Sequence, residues 1–438
     1  MTGKKLAQQY SYTCPHCGGF KNAVTPDLKG VSKEFDRLAN QLRDGAITAD
    51  DMPVQLSNAI AAEFMSGVDP VLKDMPDEAM VWMLRNNIYS FSAAKSFQEL
   101  QELSAILLDG DKLRSLADFK RKAMQLHNEY NLNYMTTEYN FAIASAQNSA
   151  RWWEFRENEE AMPMLRYQTV GDSRVRDSHK VLDGVTRNIR DSFWATHYPP
   201  NGWGCRCEAI QVSSAEHETY QVPKVGIPKP INTNLAHNGI IFPDASPYYS
   251  GITDDAILMM RPAFQNALKP AAKLLDLNPD FTHTELVCMY NYTDHDYLYL
   301  NPLMREGLSN RFVKEYTRQM TSALNRLPKY KGTSFRGFAT ESPVAFTEGK
   351  IITYKEFVSS STDPETSEDY ITRQDLPFKY FLKISGKSGR YIDDISAAGK
   401  NFKSTENENE VLFNANTSFK VIRIEKILDY TVIEMEEL

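Results

Sequence analysis

Cysteine is scarce in this sequence, and long apolar runs are absent from it. The chain has 5 cysteines in 438 residues, an odd and small number that does not support a disulfide framework. A reducing cytoplasm is therefore the expected compartment. No apolar run reaches about 18 residues and no apolar segment follows the N-terminus, so we expect neither a membrane span nor a secretion signal.

An excess of positive charge is missing as well. The formal net charge is −8, which argues against a protein that coats nucleic acid, and we expect no direct sequence-specific nucleic-acid binding. Hydrophobic residues make up 42% and charged residues 24% of the chain, an ordinary globular balance. The length predicts two or three domains.

Changes in composition along the chain divide it into four segments. Residues 1–30 are polar and contain a cysteine knuckle, and residues 31–160 have helical periodicity. Residues 161–262 form a small α+β domain with a proline-rich connector, and helices precede strands in the α+β domain of residues 276–438. The predicted fold class is therefore multidomain, with a mainly α N-terminal part, a small α+β domain and a final α+β domain.

The clearest helical pattern is an apolar stripe with spacings of three and four residues. Ser115 and Asp118 predict a capped start for the helix before it. In the last domain we predict a helix that begins at Pro302 and a single strand over residues 351–359. The stripe consists of Met135, Tyr139, Ala142, Ile143, Ala146, Ala150 and Trp153. Further strands are predicted around Arg336 and over residues 379–385, 410–413, 419–427 and 430–435.

Three short motifs follow one another in this last domain. Arg336-Gly337 lies in an aromatic strand, Phe357-Val358-Ser359-Ser360-Ser361 ends in hydroxyls, and Glu408-Asn409-Glu410 precedes an apolar run. If that run is a strand, its period of two points both carboxylates to the same face. Two such carboxylates are unfavourable at a solvated strand edge unless a cation or a reaction uses them.

In this order, the three motifs resemble the signature of mono-ADP-ribosyltransferases of the Arg-Ser-Glu class. The resemblance covers roughly residues 277–438 and implies that NAD is the substrate. It implies that Glu410 is the catalytic carboxylate, Arg336 the phosphate clamp and Ser359 the orienting hydroxyl. The implied NAD-binding set is Arg336, Gly337, Phe357, Ser359 and Glu410.

Two further residues concern the acceptor of ADP-ribose. By the same resemblance, Glu408 is also catalytic and selects an arginine of a host protein as acceptor. A carboxylate can orient a guanidinium through charge-assisted hydrogen bonds. Phe402 resembles the aromatic residue that such enzymes place against the acceptor protein. The alternative for Phe402 is a loop anchor packed on the sheet.

The segment from Arg166 to Val212 carries a second resemblance. Its Arg176-x-x-His179 turn and the block from Pro199 to Cys207 resemble the phage Mu F-like head morphogenesis domain. This resemblance covers roughly residues 85–250. It implies phage head or portal components as partners, and the virion and the bacterial host cytoplasm as locations.

The same segment could instead hold a metal or a nuclease site. The candidates are Asp177, His179, Asp183, His197 and the cysteines, although a small fold held by buried ion pairs is the favoured interpretation. Zinc could bind where Cys205 and Cys207 meet either His179 or the N-terminal knuckle. The alternative is buried thiols in reducing surroundings. The proposed zinc ligands are Cys14, Cys17, Cys205 and Cys207.

Three functions remain open at this point. The first is an arginine-specific transferase carried by a phage minor head protein. The second is a purely structural capsid or connector component whose transferase fold is inactive. The third is an NAD glycohydrolase that transfers ADP-ribose to water.

Overall fold

The computed structural model describes residues 24–214, 217–227, 231, 233–397, 399, 401, 408–427 and 429–438. These residues form two compact units. Unit 1 comprises the described residues up to Arg261 together with Asn310–Phe312, and unit 2 comprises those of Pro262–Ser309 and Val313–Leu438. Within these described ranges, no helix is both long enough and apolar enough to cross a membrane.

Unit 1 begins with the predicted helical region, which the structure confirms. Glu138, Asn140 and Phe141 are buried together with four residues of the apolar stripe, so the stripe helix is buried on more than one side. The other three stripe residues, Ile143, Ala150 and Trp153, are half-buried. Glu138 compensates its burial with an ion pair to Lys95 at 2.5 Å. The elements are α1 (Lys29–Arg43), α2 (Val54–Leu72), α3 (Glu78–Ala105), β1 (Leu108–Asp109), β2 (Lys112–Leu113), α4 (Leu116–His127), a π-helical turn (Asn128–Tyr134) and α5 (Met135–Glu157).

A small three-stranded antiparallel sheet follows, with the order β4-β3-β5. Its core is aromatic and contains Trp152, Tyr167, Trp194 and Tyr198. The small α+β segment is therefore a packed part of unit 1. The elements are β3 (Met164–Gln168), α6 (Asp177–Lys180), β4 (Thr186–Asn188), α7 (Trp194–His197), β5 (Glu208–Val212), α8 (Leu235–Asn238), a 3₁₀ turn (Pro247–Tyr249) and α9 (Asp254–Met259).

Four helices precede the large sheet. They are α10 (Pro262–Leu277), α11 (His283–Asn291), α12 (Tyr297–Glu306) and α13 (Arg311–Arg326), with a π-helical turn at Tyr292–Asp296. The predicted domain start at residue 276 falls inside α10. The prediction of one helix starting at Pro302 was wrong, because Pro302 lies inside α12. Gly307 ends α12 with a left-handed φ of 79°, a conformation that favours glycine.

The large sheet has eight strands in the order β10-β11-β8-β6-β9-β13-β12-β7. The single strand predicted over residues 351–359 was wrong: β7 pairs with β12, whereas β8 pairs with β11 and β6. A turn before Val358 therefore carries the chain from one edge of the sheet to its interior. The elements are β6 (Gly332–Thr340), β7 (Ile351–Tyr354), β8 (Val358–Ser361), α14 (Pro364–Thr372), β9 (Phe378–Gly386), β10 (Arg390–Tyr391), β11 (Glu410–Phe413), β12 (Thr417–Ile427) and β13 (Tyr430–Glu437).

Pairing within this sheet is weakest between β6 and β8. These strands are in register at one residue pair, Phe335 with Ser361, whereas β6 pairs with β9 along its whole length. The two strands therefore separate beyond that point and form a seam. Two of the three sequence motifs lie on the strands that border the seam, and the third begins the neighbouring strand β11.

Candidate active site

A cavity of about 390 Å³ lies at the seam between β6 and β8. Arg336 and Gly337 reach it from β6, Ser359 from β8, and Glu410 from the first position of β11. The antiparallel register sets Ser361 opposite Glu410 and Leu412 opposite Ser359, so Ser359 and Glu410 project from the same face of the sheet. The three motifs thus meet at a single cavity.

Glu410 carries a buried carboxyl group and is only 7% exposed. Burial raises its pKa to about 7. The hydrogen bond from Ser359 opposes this rise, the charge of Glu408 adds to it, and the charge of Arg336 opposes it. A carboxyl group with a shifted pKa in a cavity is a candidate for stabilising positive charge that develops during a reaction.

Arg336 is held in place by β8. Its Nη1 donates a hydrogen bond to the carbonyl oxygen of Ser359 at 2.7 Å, across the seam. A guanidinium has five N–H donors in a planar fork, which suits the paired oxygens of a phosphate. Its neighbour Gly337 lies against α14, where an added Cβ would come within 1.9 Å of the carbonyl oxygen of Ser367. Only glycine fits there.

The hydroxyls of β8 have different partners. Ser360 is buried; its hydroxyl donates to the carbonyl oxygen of Val411 at 3.0 Å, and its Oγ also lies 2.9 Å from Ser334 Oγ. Ser361 donates to the carbonyl oxygen of Glu408 at 2.7 Å. These two hydroxyls therefore fix the strands that carry Arg336 and Glu410, a positioning function that the sequence motif alone does not reveal.

Glu408 and Glu410 do not follow a strand period. β11 begins at Glu410, and Asn409 adopts a left-handed φ of 47°, so the predicted alternation at this position was wrong. Asparagine tolerates this conformation better than most residues do. Asn409 is held by Tyr391, whose hydroxyl donates to its Oδ1 at 3.1 Å. Both carboxylates nevertheless line the same cavity, with Glu408 half-buried.

Two tyrosines that belong to none of the three sequence motifs also line this cavity. They are Tyr297 at the start of α12 and Tyr370 on α14. Burial raises the pKa of Tyr370 to about 12, and the charge of Glu408 adds to that rise. Burial and the Glu408 charge raise the pKa of Tyr297 as well. Glu408 therefore shares the cavity with two tyrosines that are close enough to feel its charge.

The remaining candidates of the transferase motif lie elsewhere or outside the described residues. Phe357 is buried and packs edge-on against Tyr292, with ring centroids 5.4 Å apart. Tyr292 in turn lines the cavity, so Phe357 supports the cavity wall from behind. Phe402 lies outside the described residues, and its contact with an acceptor protein stays a prediction.

The cysteine-rich segment of unit 1 assembles only part of its candidate metal site. In the part of the chain that the structure describes, one group of potential metal ligands comes together, formed by His179, Cys205 and Cys207. Asp183 instead accepts hydrogen bonds from Thr169, and His197 stacks on Phe193. Asp177 is exposed and pairs with Lys180. Cys14 and Cys17 lie outside the described residues.

Both units match known families. Residues 101–210 match the family of phage Mu protein F like proteins, and residues 265–437 match the ADP-ribosyltransferase exoenzyme family. The Mu-like prophage FluMu F protein of Haemophilus influenzae is 44% identical over 69 residues, which cover 16% of this chain and 17% of that protein.

Two relatives match the second unit's region. The ADP-ribosyltransferase Vis of Vibrio splendidus is 31% identical over 152 residues, which cover 33% of this chain and 58% of Vis. The NAD(+)–protein-arginine ADP-ribosyltransferase Tre1 of Serratia proteamaculans is 30% identical over 180 residues, which cover 40% of this chain and 36% of Tre1. The chain thus spans only part of the length of each relative. Residues 101–210 are therefore similar to phage Mu protein F like proteins, and residues 265–437 are similar to ADP-ribosyltransferase exoenzymes.

Proposed function

We propose that the protein is an NAD-dependent arginine mono-ADP-ribosyltransferase carried by a phage or prophage minor head protein. The observation that carries this proposal is the meeting of Glu410, Arg336 and Ser359 at one cavity within the region that matches the exoenzyme family. The volume of about 390 Å³ lies within the usual range of small-molecule sites, about 300–1,000 Å³.

The first step breaks the bond between the nicotinamide nitrogen and C1′ of the ribose. The bonding electron pair leaves with nicotinamide, and positive charge develops on the ribose, as in glycoside hydrolysis. Ionised Glu410 stabilises that charge from its buried position, where solvent screens it little. Ser359, which hydrogen-bonds to Glu410, keeps the carboxylate oriented.

Arg336 supplies the phosphate contact. Its hydrogen bond to Ser359 fixes the guanidinium at the seam, so the fork is preorganised for the pyrophosphate of NAD. Gly337 supports the same contact, since it lets α14 approach β6 closely. Lysine would supply a point charge without this bidentate geometry.

The second step joins C1′ to a guanidinium nitrogen of the acceptor. The acceptor must lose a proton as the new bond forms, and Glu408 takes it. Glu408 lines the same cavity as Glu410, so it can orient the guanidinium and receive its proton. The balanced reaction converts NAD and a protein arginine into nicotinamide, ADP-ribosyl-arginine and a proton.

The test is to incubate the full chain with labelled NAD and host lysate, and to measure free nicotinamide and protein-bound ADP-ribose together. Glu410→Ala should form both products about 10²-fold more slowly or worse, because the positive charge on the ribose in the transition state loses the carboxylate that stabilises it. Glu425→Ala, a change of an exposed carboxylate on β12, is the matched control and should keep both. Normal turnover by a folded Glu410→Ala protein would reject the assignment.

Glu408→Gln separates transfer from hydrolysis. Water needs no carboxylate to reach C1′, whereas a protonated guanidinium is a poor nucleophile. The variant should therefore lose protein-bound ADP-ribose far more than nicotinamide release. Equal losses of both products would contradict the acceptor role. If the wild-type protein releases nicotinamide but labels no protein, the glycohydrolase alternative is correct.

The phage Mu F-like region supports phage head components as partners, and the virion and host cytoplasm as locations. Truncation before α13 is a poor test, because Phe312 packs in unit 1 on Trp82, with ring centroids 5.1 Å apart. The full-length Glu410→Ala variant is the better probe. It should enter phage particles as efficiently as the wild type, and its exclusion from particles would reject an assembly role independent of catalysis.

A further inference from the structure

Three potential metal ligands lie close together in unit 1, in a part of the sequence well before the transferase motifs. His179 comes from the short helix α6, and Cys205 and Cys207 precede β5. All three are buried, with exposures of 2%, 4% and 6% in that order. The ligand atoms lie within 4.8 Å of one another. We propose that these residues bind one zinc ion.

The distances fit tetrahedral zinc. Zinc–sulfur bonds of about 2.3 Å and zinc–nitrogen bonds of about 2.0–2.1 Å set a nitrogen and a sulfur about 3.5–3.6 Å apart in a tetrahedral site. His179 Nδ1 lies 3.7 Å from Cys205 Sγ and 3.5 Å from Cys207 Sγ. Two cysteines and one histidine are also the donor types that zinc prefers.

Hydrogen bonding alone does not account for both contacts. An imidazole nitrogen has either one lone pair or one hydrogen, so it makes one good hydrogen bond. Here a single nitrogen, Nδ1 of His179, faces two sulfur atoms at nearly equal distances. A zinc ion between the three atoms satisfies all of them at once, and two thiolates neutralise its charge in the buried surroundings.

The backbone around Cys205 and Cys207 holds their two sulfur atoms close together. Gly202 and Gly204 adopt positive φ angles of 137° and 68° just before the first cysteine. The residue between the cysteines, Arg206, is clamped by two hydrogen bonds of 2.8 Å to the carboxylate of Asp172. This pairing directs Arg206 to the β3–α6 loop and fixes the orientation of the cysteines on either side of it.

A cavity of about 10 Å³ adjoins the three ligands. That is about the space that one water molecule needs, so water can complete the fourth position. The space is too small for an organic substrate, and the role of the ion is therefore structural. The ion would join α6 to the segment that leads into β5. This zinc proposal does not depend on the transferase proposal.

The experiment measures metal in the purified full-length chain. We expect about one zinc per chain by mass spectrometry of the metal, and a shift of the melting curve to lower temperature on chelation. The double variant Cys205→Ser/Cys207→Ser should lose the zinc. Cys288→Ala changes another buried cysteine, in α11, and should keep it, as should Cys14→Ser/Cys17→Ser.

Cobalt supplies a second readout that needs no variant. The native chain, stripped of metal, should gain the absorption bands of tetrahedral cobalt with thiolate ligands at one equivalent of Co²⁺. Absence of both zinc and these bands would overturn the proposal. Zinc that stays with Cys205→Ser/Cys207→Ser and leaves with Cys14→Ser/Cys17→Ser would overturn it as well.

Discussion

The pH dependence of NAD cleavage gives the sharpest test of the site. Glu410 must be ionised to stabilise a developing positive charge, and burial raises its pKa from 4.5 to about 7. That rise corresponds to about 3 kcal/mol of preference for the protonated form. We therefore expect kcat/KM for nicotinamide release to fall below pH 7, by about tenfold at pH 6, because kcat/KM reports the ionisation of the free enzyme.

Two variants should shift the acidic limb of this pH–rate profile, the fall of kcat/KM below pH 7, in opposite directions. The charge of Glu408 raises the pKa of Glu410, so Glu408→Gln should shift the limb to lower pH. The hydrogen bond from Ser359 lowers that pKa, so Ser359→Ala should shift the limb to higher pH. Hydrolysis with water as acceptor is the right assay, because it avoids the separate role in transfer that we propose for Glu408. Glu425→Gln should leave the limb unchanged.

Two results would refute this reasoning. A wild-type limb near pH 4.5, the value of an exposed carboxyl group, would show that the buried group is not the one that titrates in catalysis. A shift of both variants in the same direction would show that general destabilisation, rather than local electrostatics, controls the profile.

Three shorter predictions follow from the same site. Gly337→Ala should lower the free energy of unfolding of unit 2, measured by urea denaturation, by about 1–3 kcal/mol or more, because its Cβ meets the facing helix at 1.9 Å. Gly30→Ala has open space and should not destabilise the protein. Arg336→Lys should raise KM for NAD more than it lowers kcat, because lysine cannot make the bidentate phosphate contact that we propose for Arg336. Tyr297→Ala and Tyr370→Ala should reduce arginine transfer more than NAD hydrolysis, because both tyrosines line the cavity proposed to receive the acceptor guanidinium and aromatic rings attract such a cation; equal reduction of both rates would contradict this.

The apolar core of the site was predictable from the sequence. The strand Glu410–Phe413 has the predicted bounds, because Val411, Leu412 and Phe413 are buried and the left-handed Asn409 precedes the strand. Such a short run is fully buried on both faces, which its continuous apolar composition indicates. The helical stripe of α5 was predictable for a different reason, because its apolar residues recur at spacings of three and four positions.

The geometry around the carboxylates was not predictable. Period-two reasoning treats Glu408 and Glu410 as strand neighbours, but one left-handed residue, Asn409, breaks the alternation. Nothing in the spacing of the two carboxylates reveals this left-handed residue before the strand. Sequence patterns do not select Tyr297 and Tyr370, because the two residues are far apart in sequence and no motif contains them. Their shared cavity results from the order of strands and helices, which local patterns do not determine.

Burial of Glu410 has a consequence for stability that tests the structure independently of catalysis. The carboxyl group has a pKa of about 7 in the folded protein and 4.5 as its ordinary value, so the folded state retains a proton that the unfolded state has lost. Stability must therefore fall as pH rises from about 4.5 through 7, by at most about 3 kcal/mol at pH 8. Glu410→Gln removes the charge and keeps the shape.

We expect Glu410→Gln to be more stable than the wild type at pH 8 and no more stable at pH 5. All 5 tryptophans lie in unit 1, so their fluorescence follows that unit alone, whereas far-ultraviolet circular dichroism follows both units. The gain in stability should shift the unfolding transition of unit 2 to higher denaturant concentration. That transition is detected by circular dichroism but not by tryptophan fluorescence. Glu425→Gln should show no such pH-dependent gain, because its carboxylate is exposed and paired with Arg423. The same gain at pH 5 and pH 8 would mean that packing, rather than the buried charge, distinguishes Glu410 from glutamine. A gain confined to high pH would show that the folded state gives up stability to keep this carboxylate in the cavity, which is the expected signature of a functional residue.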